Sequence, residues 1–432
     1  MADIKPFQAL RFDTTRLRLE DVLTQPYDKI SPAMQAGYYQ RSPHNLIRFE
    51  LARPSTEAGA PSIYEQSANF LAGLQRDGIL QRDAEPGLYA YVQHFSHPLN
   101  KDVQLTRSGI IALGKLYDYD EQVVFRHEQT LSGPKADRMN LLRHTRTHSG
   151  QIFMLYDDPA RAVDHQVERA IAGREPDASV VDEYGVENFL WRISDPALVG
   201  AIVENFREQR LIIADGHHRY ETARSYRDAQ RQQHGNVPAA HDYVMMTLVN
   251  MSGPGLLVLP THRVVFGLDN FDTAALVAKL RDCFEVASAP AAELLNRVNA
   301  TASNATALGL ATSSGAFVLK AIPDRIDRVL STYSAVERRV DVTILHKVVL
   351  ESVLGISEEA IREQRNLRYY RSAEKALHEV ESGANAAFLL NPVSLEQLRQ
   401  VCYASHVMPQ KSTDFYPKLL SGITLYNLDR CF

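Results

Sequence analysis

A mixed α/β fold is predicted by two observations. Short apolar runs of strand length alternate with segments whose apolar residues recur at helical spacing, most regularly between residues 108 and 252. Glycine and proline clusters punctuate the boundaries between them. The segment 7–30 is irregular and ends in Gln25-Pro26-Tyr27-Asp28-Lys29-Ile30, where Pro26 pushes its neighbour out of the helical region. Asn45 to Leu51 alternates polar and apolar residues and reads as a strand. A loop over 54–62 precedes a helix over 63–77 that Asp77-Gly78 ends, then a strand from Tyr89 to Phe95 and a polar loop over 96–106.

The second region reads as strands at Gly109–Leu116, Gln151–Tyr156, Asn188–Ile193, Leu211–Ile213 and Tyr243–Val249. Helices are expected at Pro134–His148, 160–172, from Asp195-Pro196 to Arg207, and after His217. Beyond Gly253-Pro254-Gly255 the pattern changes again. A strand at Thr261–Val265 is followed by helices near 272–282 and 290–300, and Ser313-Ser314-Gly315 marks a hairpin between strands at 307–311 and 316–321. Helices near 341–352 and 373–381 and a strand at Ala386–Leu390 complete it. Three regions are therefore expected, 1–107, 108–252 and 253–432, in keeping with a length of 432 residues.

Composition excludes several classes of function. Lys and Arg number 47 against 52 Asp and Glu, a net charge of −5, so no global basic field marks a nucleic-acid binder. The three cysteines, Cys283, Cys402 and Cys431, are widely spaced and form no CxxC, which argues against a disulfide framework or thiolate metal cluster and fits a reducing cytoplasm. The first residues lack the apolar centre of a signal peptide, and no eighteen apolar residues run together, so a membrane partner is not expected.

Chemistry concentrates in Leu211-Ile212-Ile213-Ala214-Asp215-Gly216-His217-His218-Arg219-Tyr220-Glu221-Thr222-Ala223. Strand, glycine turn and helix follow one another here. Gly216 permits a conformation closed to other residues, the first helical turn offers unpaired N–H groups, and Arg219 with two histidines adds donors suited to phosphate. His217 and His218 are adjacent and point apart, so both binding one metal is disfavoured. A second cluster holds His127, Glu128, Thr130, Lys135, Asp137 and Arg138; imidazole and carboxylate suit a cation or a proton transfer, and Lys135 and Arg138 share a helix face. A third is Lys411-Ser412-Thr413 with Lys418, which lacks the glycines of a P-loop. The fourth is Tyr27-Asp28 with Asn45 and Arg48, in which Arg48 suits a substrate carboxylate. His144 and His148 lie i, i+4 without a glutamate between them in the HExxH pattern and read as surface residues, while His262-Arg263 is a weaker candidate.

These motifs, in this order, resemble the bacterial and archaeal "domain of unknown function 1015" family over the whole chain. Pro26-Tyr27-Asp28, Asn45-Leu46-Ile47-Arg48, Arg126-His127-Glu128-Gln129-Thr130, Asp215 to Ala223, Asp341-Val342-Thr343-Ile344-Leu345-His346 and Met408-Pro409-Gln410-Lys411-Ser412-Thr413 carry the resemblance. Around residues 108–250 the Asp-Gly-His-His-Arg turn is also similar to the ParB/sulfiredoxin fold, which includes an archaeal free-serine kinase. That likeness implies a nucleotide-binding core with Gly216, His217, His218 and Arg219 at the phosphates. The position of sulfiredoxin's reactive cysteine is taken here by histidine, and no helix-turn-helix of the segregation proteins is found. The expected function is phosphoryl transfer between a nucleotide, ATP or ADP with Mg²⁺, and a small hydroxylated metabolite such as free serine. In it His127, Thr130, Lys135, Arg138, Lys411, Ser412, Thr413 and Lys418 bind the nucleotide, and Asp215 or Glu128 takes the hydroxyl proton or holds the metal. Asp28 is a further acid/base candidate, and Tyr27, Asn45 and Arg48 orient the substrate. A phosphatase acting through the same residues and a nucleotide-sensing regulatory protein are the alternatives.

Overall fold

The computed structural model describes residues 1–55, 57, 59–128, 133–302 and 305–429, without the side chains of residues 133 and 134. Thr130 and Cys431 thus lie outside the described residues. Two compact units divide the chain: Met1–Arg126 with Thr130–Leu256 and Pro417–Phe432, and His127–Gln129 with Leu257–Tyr416.

The first unit is built on a nine-stranded mixed sheet. Its strands are β1 (Ile4–Lys5), β2 (Leu88–His97), β3 (Asn100–Lys115), β4 (Val124–Phe125), β5 (Ile152–Tyr156), β6 (Ala178–Val181), β7 (Glu187–Ile193), β8 (Leu211–Asp215) and β9 (Tyr243–Asn250). They run in the order β4-β8-β5-β9-β3-β2-β7-β6, with β1 also on β3. The pairs β4·β8 and β5·β9 are parallel and the rest antiparallel. Every residue of β5 and β9 is buried, which is why both read as continuous apolar runs rather than alternating ones. The core joins Ile110, Ala112, Ile152, Met154, Ile213, Val244 and Met246 from the sheet to Ile202, Phe206, Tyr220 and Ala223 from helices.

Four helices of this unit matter for the site: α1 (Ile47–Glu50), α2 (Gly133–Thr145), α3 (Pro196–Phe206) and α4 (His217–His234). Asp195 caps α3 by accepting from the Ala197 and Leu198 amides, with Pro196 in the first turn. The expected strand at Asn45–Leu51 is instead the single turn α1, because Ile47, Phe49 and Glu50 all find buried surroundings and the Asn45 side chain accepts from the Ile47 amide. The expected loop over 96–106 is paired strand, with Phe95 opposite Leu105 and Ser96 opposite Gln104. Residues 100–105 are mostly exposed, so no buried face imposes a period of two. The boundary expected after residue 107 therefore falls inside β3.

The second unit holds a six-stranded antiparallel sheet of β10 (His262–Val265), β11 (Phe284–Ala289), β12 (Ala307–Thr312), β13 (Gly315–Ala321), β14 (Leu367–Tyr370) and β15 (Ala386–Leu389), ordered β11-β13-β12-β15-β10-β14. Its core includes Val264, Leu294, Val298, Ala307, Ala387 and Leu389. The expected helix over 341–352 is a short α-turn, Asp341–Ile344, that widens into a π-helix over Leu345–Val353. Cys283 and Cys402 are free and buried. No helix among the described residues is long and apolar enough to cross a membrane.

Two buried groups of this unit titrate in opposite senses. Burial pushes the Asp341 carboxyl up to about 6, outweighing the Asn391 side chain, 3.5 Å away at Nδ2, and the backbone amides of Asn391 and Asp341, which favour its anion. A folded-state pKa above the unfolded value gives stability that is complete below about pH 3.8 and lost as pH rises through 6. His262, which accepts the Leu390 amide on Nδ1, is pushed down to about 4, so its contribution is present above about 6.5 and lost on acidification. Asp341→Asn is therefore expected to stabilise the second unit at about pH 7.5 by up to roughly 3 kcal/mol and to change nothing near pH 4. Equal stabilities at both pH values in denaturant titrations would refute a neutral Asp341.

Candidate active site

β8 carries a bulge between Ile213 and Asp215, which re-aims Asp215 at the end of the strand. Gly216 follows at φ +93° as the N-cap of the 18-residue α4, and contributes no side chain to cap it. The free amides of the first turn and the positive end of the helix dipole therefore face whatever lies before the helix. The helix is held by Tyr220, whose hydroxyl accepts from the Tyr117 amide and donates to the Tyr117 carbonyl, both at 3.0 Å.

Arg219 turns back over Gly216. Its Nη1 donates to the Gln151 carbonyl at 2.6 Å and its Nη2 to Asp215 Oδ2 at 3.0 Å. A Cβ on Gly216 would come within 3.1 Å of Arg219 Nη2, and one on Gly150 within 2.9 Å of Nη1, so two glycines open the slot that the guanidinium fills. Gly216→Ala adds a left-handed side-chain residue and displaces Arg219, with an expected cost of about 1–2 kcal/mol in stability. Thermal melts of that variant check it, and an unchanged melting temperature would show that the slot is not tight.

Asp215 is the centre of a cation cluster. Lys418 Nζ lies 3.4 Å from Oδ1 and Arg219 holds Oδ2. Although burial opposes ionisation, Lys418, Arg219, Lys29 and His217 together hold the carboxyl well below the usual carboxylate range. Such a carboxylate stays charged and is a poor proton acceptor. Each of its oxygens faces a cation.

Beside this cluster lies a cleft of about 50 Å³ lined by Tyr27, Glu50, Arg138, Ser149, Arg219 and Thr222, among others. Arg138 stacks at 4.3 Å on the Tyr27 ring, donates to Glu50 Oε2 at 3.1 Å and to the Glu50 carbonyl at 2.9 Å, and also holds Asp137. The Ser149 hydroxyl donates to Glu50 Oε1. Glu50 is 4% exposed, so its charge is buried and matched. His148, stacked on Tyr426 in the same wall, is pushed down to about 4 by desolvation and is neutral at pH 7.

The other expected site residues divide by unit. In the first, Lys135 forms an ion pair with Glu221 of α4, which Arg126 also approaches at 3.6 Å. Asp28 lies 3.6 Å from Lys29 in the turn Tyr27–Lys29. Asn45 and Arg48 do not line the cleft. Asn45 donates to the Asp21 carbonyl at 2.7 Å and accepts from the Ile47 amide at 2.9 Å, while Arg48 donates to the Tyr39 carbonyl at 3.0 Å and stacks on that ring, so both make local contacts. His127, Glu128, Lys411, Ser412 and Thr413 belong to the second unit, although Lys418 belongs to the first. There His127 Nε2 meets Thr413 Oγ1 at 2.6 Å, His127 lies 3.9 Å from Glu128, and Ser412 bonds the Pro409 carbonyl. Lys411 takes φ +58°, and its carbonyl accepts from the buried Arg263 at 2.9 Å.

Sequence reasoning missed Glu50, Ser149, Gly150, Lys29 and a buried network under Lys418. In that network Arg107 donates to Gln93 Oε1 at 3.1 Å and to the Pro417 carbonyl at 2.6 Å, and Gln93 donates to the Lys418 carbonyl at 3.1 Å. Asn188 Oδ1 accepts from Gln93 at 2.8 Å and from the Tyr91 hydroxyl at 2.7 Å. Arg107 is 1% exposed, and burial pushes it down to about 10. The signal the sequence offers is the pair of uncharged polar residues next to the apolar runs Leu88–Val92 and Phe189–Trp191, Gln93 and Asn188.

Solved structures similar to the chain include a conserved hypothetical protein from Pyrococcus furiosus, 14% identical over 75% of this chain and 97% of that one, with a TM-score of 0.36. A free serine kinase in complex with AMP is 13% identical over 74% and 91%, with a TM-score of 0.34. SbnI with a C-terminal truncation, from Staphylococcus aureus, is 10% identical over 72% and 85%, with a TM-score of 0.36. At these scores the similarity has no bearing on what this chain does. No curated protein matches it. The family described as "Protein of unknown function (DUF1015)" matches residues 4–343, and the chain belongs to that family.

Proposed function

We propose that the first unit transfers a phosphoryl group from a nucleotide to the hydroxyl of a small metabolite, a free amino acid such as serine being the leading acceptor. The observation that carries this reading is the meeting, at one small cleft, of two arginines and a buried glutamate with a serine, one of the arginines being Arg219 of the first turn of the uncapped helix α4. Arg219 has five N–H donors and, among the described residues, uses two of them on Gln151 and Asp215, which leaves others for phosphate oxygens. Lys418 and Lys29 add positive charge, as a transferring phosphoryl group requires. A volume of about 50 Å³ holds roughly three or four waters or one tetrahedral anion, which suits the transferred group rather than the whole nucleotide.

In the reaction the acceptor oxygen attacks the terminal phosphorus, the P–O bond to the penultimate phosphate breaks, and the shortened nucleotide leaves with that electron pair. The hydroxyl proton passes to a carboxylate. Asp215, held by Lys418 and Arg219, is unsuited to take it. Glu50, the carboxylate lining the cleft, has Oε2 on Arg138 but Oε1 on the neutral Ser149 hydroxyl, and Oε1 is the base in this reading. Mg²⁺ would accompany the nucleotide phosphates and neutralise their charge.

The test is a thermal-shift series with ATP, ADP, CTP and GTP plus Mg²⁺ on the native chain and on Arg219→Ala, followed by a kinase assay with serine. A nucleotide at a hundredfold excess over its Kd is expected to add about 2.7 kcal/mol of stability, lost in the variant. Binding without turnover would favour a nucleotide sensor, and no shift with any nucleotide would overturn the reading.

A further inference from the structure

The second unit contains a cavity of about 360 Å³, a size suited to a small metabolite, lined by none of the residues invoked above for phosphoryl transfer. One wall is the junction where Asp341–Ile344 opens into the π-helix Leu345–Val353, a widened turn of the kind that recurs at functional sites. On this wall Thr343 and His346 are 3% and 2% exposed, and Thr343 Oγ1 and His346 Nε2 have no hydrogen-bond partner among the described residues. Buried polar atoms of this sort ordinarily find a partner. Burial keeps the His346 ring neutral, so it offers one donor and one acceptor.

The remaining lining has a definite chemistry. Ile361, Val407 and Met408 supply an apolar surface. Arg362 is exposed at the mouth and has no carboxylate partner among the described residues. Glu351 and Glu358 instead share a single cation, Lys347, at 2.7 and 3.1 Å. The third lining carboxylate, Glu337, accepts from the Ser334 amide at 2.9 Å and lies 3.5 Å from His406. One unclaimed cation and, against Lys347, one carboxylate in excess, set around an apolar surface, match a zwitterion with a hydrophobic side chain. We infer that this cavity binds an α-amino acid with an apolar side chain, its carboxylate on Arg362 and its ammonium on the Glu351–Glu358 pair.

The cavity is also tied to a motif the proposed reaction leaves unused. The Met408 amide donates to the His127 carbonyl at 2.8 Å, and Glu128 bridges Met408 in strand fashion. Filling the cavity against Met408 therefore stiffens the His127–Glu128 segment.

The experiment is calorimetric titration of the full chain with L-leucine and L-methionine, with N-acetyl-L-leucine amide as a probe that lacks both charges, alongside hydrogen–deuterium exchange. Saturable binding of the free amino acids and none of the capped one is expected, with slower exchange over residues 405–410 and 127–128. Arg362→Met, at an exposed position that leaves the fold intact, is expected to weaken binding about tenfold or more. Ile361→Trp, which fills the cavity, is expected to abolish it. Arg219→Ala, in the other unit, is expected to leave it unchanged. No saturable binding at millimolar concentration, or binding insensitive to both Arg362→Met and Ile361→Trp, would overturn the inference. Binding lost only in Arg219→Ala would also overturn it, and would assign the amino acid to the phosphoryl-transfer cleft instead.

Discussion

Glu50→Gln is expected to lower the turnover of phosphoryl transfer by about 10²–10⁴-fold while leaving nucleotide affinity within a few-fold of the native value. The amide keeps the shape of the carboxylate. Its oxygen still accepts from Arg138, and its nitrogen can donate to the Ser149 hydroxyl, which has only to reverse its bond. Arg138 also retains Asp137, at 2.9 Å from Nε, so its charge is not stranded. The variant therefore folds, and what it loses is the capacity to take a proton. Glu50→Ala is a different experiment, because it vacates a site that is 4% exposed and removes Arg138's principal buried partner; a loss of about 3–5 kcal/mol in stability is expected there. Steady-state kinetics of serine phosphorylation on Glu50→Gln, with melting curves beside them, separate the two effects. A turnover within a few-fold of native would remove Glu50 from the chemistry and return the role to Asp28 or Glu128.

The part of this arrangement written locally was legible in the sequence. Leu211 to Ala223 announces strand, turn and helix because each choice is made by neighbours: an apolar run, a glycine where φ is +93°, and a polar helical stretch with buried Tyr220 and Ala223 on one face. Asp215 and Arg219 could be singled out for the same reason, since a carboxylate and a guanidinium four apart on a helix start are within reach of each other. What distant chain segments decide was not legible. Glu50 sits at the end of an alternating run that reads as a strand, and only Arg138, 88 residues on, and Ser149, 99 residues on, make it a cleft residue. Asn45 is expected at the substrate, whereas an Asn before a turn readily bonds the backbone two residues on, and its side chain accepts from the Ile47 amide. Lys411 and Lys418 seemed one loop because they are seven apart, yet the division between compact units passes between them. A sequence read residue by residue has no means of finding that division.

Lys418 illustrates how much of the site depends on groups that never touch a ligand, and Arg107→Met tests it. The backbone at Pro417 and Lys418, from which Lys418 Nζ reaches Asp215, is bonded from beneath by Arg107 and Gln93. Methionine fills the space of the Arg107 stem against the Phe153 ring, on which the guanidinium lies at 4.6 Å, but it cannot donate. The Pro417 carbonyl and Gln93 Oε1 then lose a charged donor while still buried, each worth about 1–3 kcal/mol, and relief of the arginine's own desolvation offsets part of that. A net destabilisation of about 2–4 kcal/mol is expected. Lysine does not restore the contacts, because a single ammonium cannot replace the planar fork that serves Gln93 and Pro417 together. The informative readout is nucleotide affinity at a temperature where the variant is still folded. If the network positions Lys418, affinity falls about tenfold in both Arg107→Met and Arg107→Lys, as one weakened charge-assisted contact would predict. Destabilisation with native affinity would mean that Arg107 supports the sheet alone. Lys418 would then owe its place to Asp215, and Asp215→Asn would be the substitution that releases it.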